Sequence, residues 1–295
     1  MSIRQTLIVS VLFALASVCH AADREFDQKV KAEAHGAVRI SNVAGKVLVT
    51  GWDRPEVEVK AHLYGDVERV DVLSDKGRTT VRVILPRSTF HGGEADLDIH
   101  VPEQSDVDVS SVSADVETQR LLGPQRLTTV SGAIRGEFAK DFEGKTVSGD
   151  LRLQGKSAAG DVRISSVSGD VFLERAGGDV EVTSTSGDLL LDVASVSTVR
   201  TRTTSGDLSL RGALARDGSV EAETISGDVT VRVKPQAGFQ YDATSFSGSI
   251  GNCFGRHAEP TSTHGPGTRL IGTAGDGQGR VRVKSMSGDV AICDR

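Results

Sequence analysis

The sequence predicts an all-β protein, a β-solenoid (β-helix-like) rod, and three observations predict it. A Ser-Gly motif, usually followed by Asp, recurs at Gly132, Gly149, Gly169, Gly187, Gly206, Gly227, Gly248 and Gly288, with gaps of 17, 20, 18, 19, 21, 21 and 40 residues. On both sides of the glycine, apolar and polar residues alternate with period two, as in strands buried on one face. Three residues before it stands a column of small hydroxyls alone: Ser111, Thr129, Thr146, Ser166, Ser184, Thr203, Thr224, Ser245 and Ser285. Self-similarity at a near-constant period points to stacked repeats, none of which can bury its apolar face alone.

In chain order, residues 1–21 read as an export signal. Arg4 is the positive leader, Leu7 to Ala16 the apolar run, and Cys19-His20-Ala21 the cleavage site. The run is too short to span a bilayer comfortably, and no later segment approaches its length. Cys19 also offers a lipoprotein alternative, although Val18 stands where that pattern wants a small residue. Removing the signal leaves 33 basic against 40 acidic side chains, a net charge of −7 with histidine neutral. That balance disfavours nucleic acid and anionic membranes as partners.

Residues 22–104 are strand-rich but irregular, with Val47-Leu48-Val49, Val57-Glu58-Val59, Val70-Asp71-Val72, Val81-Arg82-Val83 and Leu97-Asp98-Ile99 as strand candidates. They are expected to form wider first coils that cap the rod; a separate small β domain is the alternative. Two degenerate repeats, Val43-Ala44-Gly45 and Val112-Ser113-Ala114-Asp115, precede the good ones.

Residues 105–295 are the repeats proper. Two after the glycine come Ile134, Leu151, Val171, Leu189, Leu208, Val229, Ile250 and Val290; seven before it come Val162, Val180, Val199, Val220, Tyr241 and Val281. Each copy therefore holds two strands joined by a Ser-Gly-Asp bend, where Gly permits positive φ and Ser and Asp bond nearby backbone. Six before the glycine, facing outward, come Arg163, Glu181, Arg200, Glu221, Asp242 and Arg282, of which the first four pair opposite charges if the copies stack. The hydroxyl column is expected to hydrogen-bond along itself. About nine coils of 17–21 residues, about 4.8 Å apart, make a rod of about 40 Å. With 33 Gly but one Trp and two Tyr, the composition suits a Val-Leu-Ile seam with glycine corners.

Cys253 and Cys293 each lie five residues after a motif glycine. On adjacent coils they would lie within disulfide range, provided that 254–280 is a loop excursion within one coil. Such a disulfide would pin the last coil. The Asp column, Asp150, Asp170, Asp188, Asp207, Asp228 and Asp289, reads as turn capping; a calcium ladder and a glycosidase pair are the sharper alternatives. Neither fits well, because the glycine pattern is not that of a calcium β-roll and one recurring acid is not two carboxylates in distinct environments. His257, Glu259 and His264 match no zinc spacing, and Gly144-Lys145-Thr146 lacks the first glycine of a phosphate loop. No catalytic, cofactor or metal site is therefore expected.

The repeated Val-Ser-Gly-Asp-Val resembles the bacterial putative-adhesin family of extracytoplasmic β-strand-repeat domains. So do the opening Ile40-Ser41-Asn42-Val43-Ala44-Gly45 with Gly51-Trp52-Asp53, and the closing Gly279-Arg280-Val281-Arg282-Val283. The resemblance covers nearly all of the chain beyond the signal. It implies a β-helical fold in the periplasm or at the cell surface, and brings no catalytic or binding residues. The expected function is a non-catalytic, adhesin-like interaction or envelope scaffold protein with an unidentified protein or glycan ligand. A β-helical carbohydrate-active enzyme and a calcium-stabilised module are the alternatives. End-to-end association of rods is left open, and the 254–280 segment is the expected specific contact, being the one large departure from the repeat.

Overall fold

The computed structural model describes residues 24–86, 92–156, 160–235, 238–263 and 265–294; the expected signal at 1–21 and His264 lie outside them. Those residues form strands and turns without helix, in one long mixed sheet wound nearly closed. Each copy supplies a front strand that ends at the Ser-Gly-Asp bend and a back strand that begins just after it. Front strands stack in parallel, so that Phe142, Val162, Val180, Val199 and Val220 sit side by side. Back strands do the same through Ile134, Leu151, Val171, Leu189, Leu208 and Val229. These inward side chains fill the space between the two faces and are all buried.

The bends stack as tightly as the strands. Gly187 (φ +113°) and Gly206 (φ +122°) occupy a left-handed conformation, and a Cβ on either would collide with the carbonyl oxygen of the motif glycine one coil earlier. Only glycine meets both conditions.

The order of the coils departs from the order of the chain at both ends. Strand Gly279–Ser287 lies between the front strand ending at Ser226 and strand Gly238–Ser247, and Val290–Cys293 lies between Val229–Pro235 and Ile250–Asn252. After the Gly227 coil the chain thus skips one place, builds the outermost coil around Gly248, and returns to fill the gap. The expected loop excursion at 254–280 is corrected accordingly. It contains strand Thr268–Gly275, antiparallel to Gly238–Ser247 from Gly238↔Gly275 to Ser245↔Thr268, with the short Glu259–Pro260 beside it. An uncovered last coil would leave a row of unpaired N–H and C=O groups, and this strand covers the front strand of that coil.

The opposite end mirrors this arrangement. Strand Ala37–Ser41 lies between Arg78–Ile84 and Asp106–Ser110, and Ala44–Trp52 between Gly93–Pro102 and Ser113–Gln119. The chain turns out through Glu56–Gly65, antiparallel to Gly93–Pro102 and flanked by Arg24–Lys31. Hydrogen bonding therefore runs in register across the expected 104/105 boundary.

Cys253 and Cys293 form a disulfide, with Cα atoms 5.0 Å apart. The adjacency arises through the skipped place: Cys293 ends the inserted coil, and Cys253 follows the outermost one. The bond ties an inner coil to the end coil, rather than pinning an outermost chain terminus.

Three outcomes are expected. Gly187→Ala should destabilise the protein by about 2–4 kcal/mol through strain and collision, read from chemical denaturation. Gly251→Ala, whose added Cβ meets nothing nearer than 4.0 Å, should be close to neutral. Cys253→Ser should cost about 2–4 kcal/mol, and limited proteolysis should then cut first between 254 and 278.

Candidate interaction face

In the front strands the odd positions before the glycine point into the core, so positions six, four and two before it share the outer face. Position six runs Arg39, Asp108, Arg126, Glu143, Arg163, Glu181, Arg200, Glu221, Arg282, Asp242 across successive rungs. The sign alternates at every step. Four of these residues were expected to pair; in chain order the series would break, with Glu221 beside Asp242. The inserted coil places Arg282 between those two acids. Arg39 reaches Asp108 at 3.3 Å and Arg126 reaches Glu143 at 2.8 Å, while Arg163 turns to Asp161.

Position four holds the tightest charge cluster. Glu223 receives hydrogen bonds from Lys284 at 2.8 Å and from Arg202 at 3.0 Å. These two cations, Lys284 foremost, hold its carboxyl below the usual carboxylate range. Asp242, on the neighbouring row, is gripped by Arg269 through two hydrogen bonds of 2.9 Å and is lowered in the same way.

Position two is exposed, and apolar on all but two of its rungs. Val112, Val130, Val147, Val167, Thr185, Thr204, Ile225, Met286 and Phe246 follow one another along the rod, the apolar members 43–59% exposed. A groove of about 600 Å³ runs past Ile225, Met286 and Phe246. Sequence reasoning missed this row. The first residue of Val-Ser-Gly looked like part of a turn motif, although its parity puts it on the solvent side.

The Asp column sits at the bend between the faces. Asp150, Asp170, Asp188, Asp207 and Asp228 each accept, through Oδ1, the backbone N–H of the next aspartate in the stack, at 2.8–3.2 Å. Asp289 accepts from Ser249 at 2.8 Å, which holds its carboxyl below the ordinary value. Capping is therefore between coils, not within the turn, because parallel stacking brings the next N–H over each carboxylate. The hydroxyl column also differs from expectation. Ser111 donates to Thr129 at 2.9 Å, but Ser184, Thr203 and Thr224 donate to the carbonyl two residues on. Among the described residues, no group of three His, Cys, Asp or Glu side chains converges as a metal site. His257 and Glu259 line an open depression on the end segment with Arg256 and Arg269.

The family model Toastrack DUF4097 matches residues 25–293. No curated protein matches the chain. Among solved structures, a putative adhesin from Parabacteroides distasonis is similar at 8% identity and a TM-score of 0.51, covering 92% of this chain and 98% of that one. A putative adhesin from Bacteroides fragilis gives 13% identity, a TM-score of 0.49 and coverage of 92% and 98%. A third, from Parabacteroides merdae, gives 11%, 0.49, 90% and 96%. The first of these supports the fold.

The Glu223 cluster carries a pH dependence of known sign. A carboxyl lowered in the folded state adds stability that is complete above the unfolded value and is lost as pH falls through the folded one. Glu223→Gln should therefore cost about 0.5–1 kcal/mol at neutral pH. The gap to the parent should close on acidification below the carboxylate range, as read from melts at several pH values.

Proposed function

The chain belongs to the Toastrack DUF4097 family, and from that premise we propose an exported, non-catalytic, adhesin-like interaction or envelope scaffold protein. The observation that carries this reading is the exposed apolar row from Val112 to Phe246. Soluble monomers rarely leave so many aligned apolar side chains uncovered without a partner for them, and here only Thr185 and Thr204 interrupt the row. The strip lies on a rigid sheet, so a partner meets a surface that is already ordered.

Residues 1–21 are read as the export signal, 22–104 as the N-terminal cap, and 105–295 as about nine coils of 17–21 residues. The Cys253–Cys293 disulfide supports an oxidising compartment, the periplasm or the cell surface. The ligand is a protein or glycan of the envelope or of an outside surface. The names of the similar solved proteins agree with such a role.

Protease treatment of intact cells tests the location. Degradation of this protein while a periplasmic control survives is the expected result for a surface interaction protein. Protection equal to the control would confine it to a scaffold role inside the envelope. Retention in the cytoplasm would end the proposal.

A further inference from the structure

The front face carries a pattern that stacking alone does not require. On the back sheet, the outward row five residues after the glycine runs Glu137, Gln154, Glu174, Asp192, Arg211, Arg232, acidic but for Gln154 and then basic. The same coils thus tolerate like charges side by side on one face and alternate without a break over ten rungs on the other. Of the ladder's own steps only Arg39–Asp108 and Arg126–Glu143 close into ion pairs among the described residues; Arg163 and Asp242 pair off the ladder with Asp161 and Arg269, and the central Glu181, Arg200 and Glu221, with Arg282, enter no ion pair among those residues. Beside it runs the uncovered apolar row.

We propose that this face docks a second copy of the chain, the two rods lying antiparallel about a two-fold axis. The axis runs along the strand direction, between the Glu181 and Arg200 rungs. Such an axis reverses the rod and keeps each row over its own counterpart. Arg163 of one copy then meets Glu221 of the other, Glu143 meets Arg282, Arg126 meets Asp242, and Glu181 meets Arg200. An axis through a rung would set like over like. A parallel pair would lay the charged row on the apolar one.

The apolar row selects the same axis by size. Val130 meets Phe246, Val147 meets Met286, Val167 meets Ile225, and Thr185 meets Thr204, so the small side chains of one half receive the large ones of the other. Row four has one mismatch, Lys145 opposite Lys284. Each of these lysines already holds an acid of its own chain, Glu143 and Glu223. Eight rungs about 4.8 Å apart and a strand width of about 17 Å give roughly 650 Å² per copy. The total, roughly 1,300 Å², lies inside the range of about 1,200–2,000 Å² for stable interfaces. Apolar burial supplies affinity, and the alternating charges fix orientation and register.

Sedimentation velocity of the purified protein over a concentration series tests this. The expected result is a monomer–dimer equilibrium. Arg163→Glu and Glu221→Arg, each alone, should weaken the dimer about tenfold or more. The double variant should restore it, because the two positions meet across the axis. Within one chain they lie three rungs apart, and each change offends only its own neighbours. At concentrations where the parent is monomeric the drops in melting midpoint should therefore add in the double variant, while dimerisation recovers at higher concentration, which separates docking from folding. A monomer at every concentration overturns the proposal, as does a double variant no better than the singles. So does a monomer that binds glycans or lipid vesicles through this face without ever pairing.

Discussion

The structure depends on one close approach, that of each Ser-Gly-Asp bend to the bend of the next coil. The glycines leave no Cβ between them, and the aspartate carboxylate takes the N–H of the aspartate above. A buried or crowded backbone N–H without an acceptor is costly, and each coil from Asp150 to Asp228, with Asp289, supplies one to its neighbour. Since the carboxylates face donors rather than one another, a column of negative side chains can stand in line. With the bends fixed in this way, the apolar positions on both strands fall into continuous seams, and the rows on the outer faces follow without further instruction.

The rod itself was legible in the sequence because its signals are local and repeated. The glycine phase, the alternation on either side, the buried hydroxyls and the cysteine phase all appear within one copy. Stacking turns each into a column. The order of the coils was not legible in the same way. Every copy resembles every other, so the 40-residue gap before Gly288 fits a loop excursion as well as a skipped place. The first coil, Ala37–Ser41 with Ala44–Trp52, looks like the start of the rod for the same reason, although strands 78–102 lie outside it. The apolar row was visible as letters yet read as motif, since a valine before Ser-Gly attracts no notice until the parity of its side chain is followed outward.

Both ends of the rod solve one problem. A stack of parallel strands has two edges, each able to pair with any other free strand. At each end the chain lays down a coil, continues past it, and closes with antiparallel strands: Glu56–Gly65 with Arg24–Lys31 at one end, Thr268–Gly275 at the other. Arg24, Glu25, Asp27, Lys29 and Lys31 then charge the first of these edges. Such ends discourage rods from joining tip to tip and leave the lateral faces as the surfaces for contact.

What directs the last coil into its gap is a question of discrimination between nearly equivalent sites. Placed in chain order, beyond the Gly248 coil, it would leave Glu221 beside Asp242 and take Lys284 away from Glu223. Placed where it is, Arg282 separates the two acids and Lys284 completes the cluster with Arg202, whereas Cys293 lies next to Cys253 in either order. The apolar seams are indifferent to the choice, because Val281, Val283, Val290 and Ile292 would be buried in either place. Hydrophobic burial therefore stabilises the stack without specifying its order. The order is carried by charge rows on the outside, where each contact is weak alone but a misplaced coil meets repulsion on one row and loses an ion pair on the other.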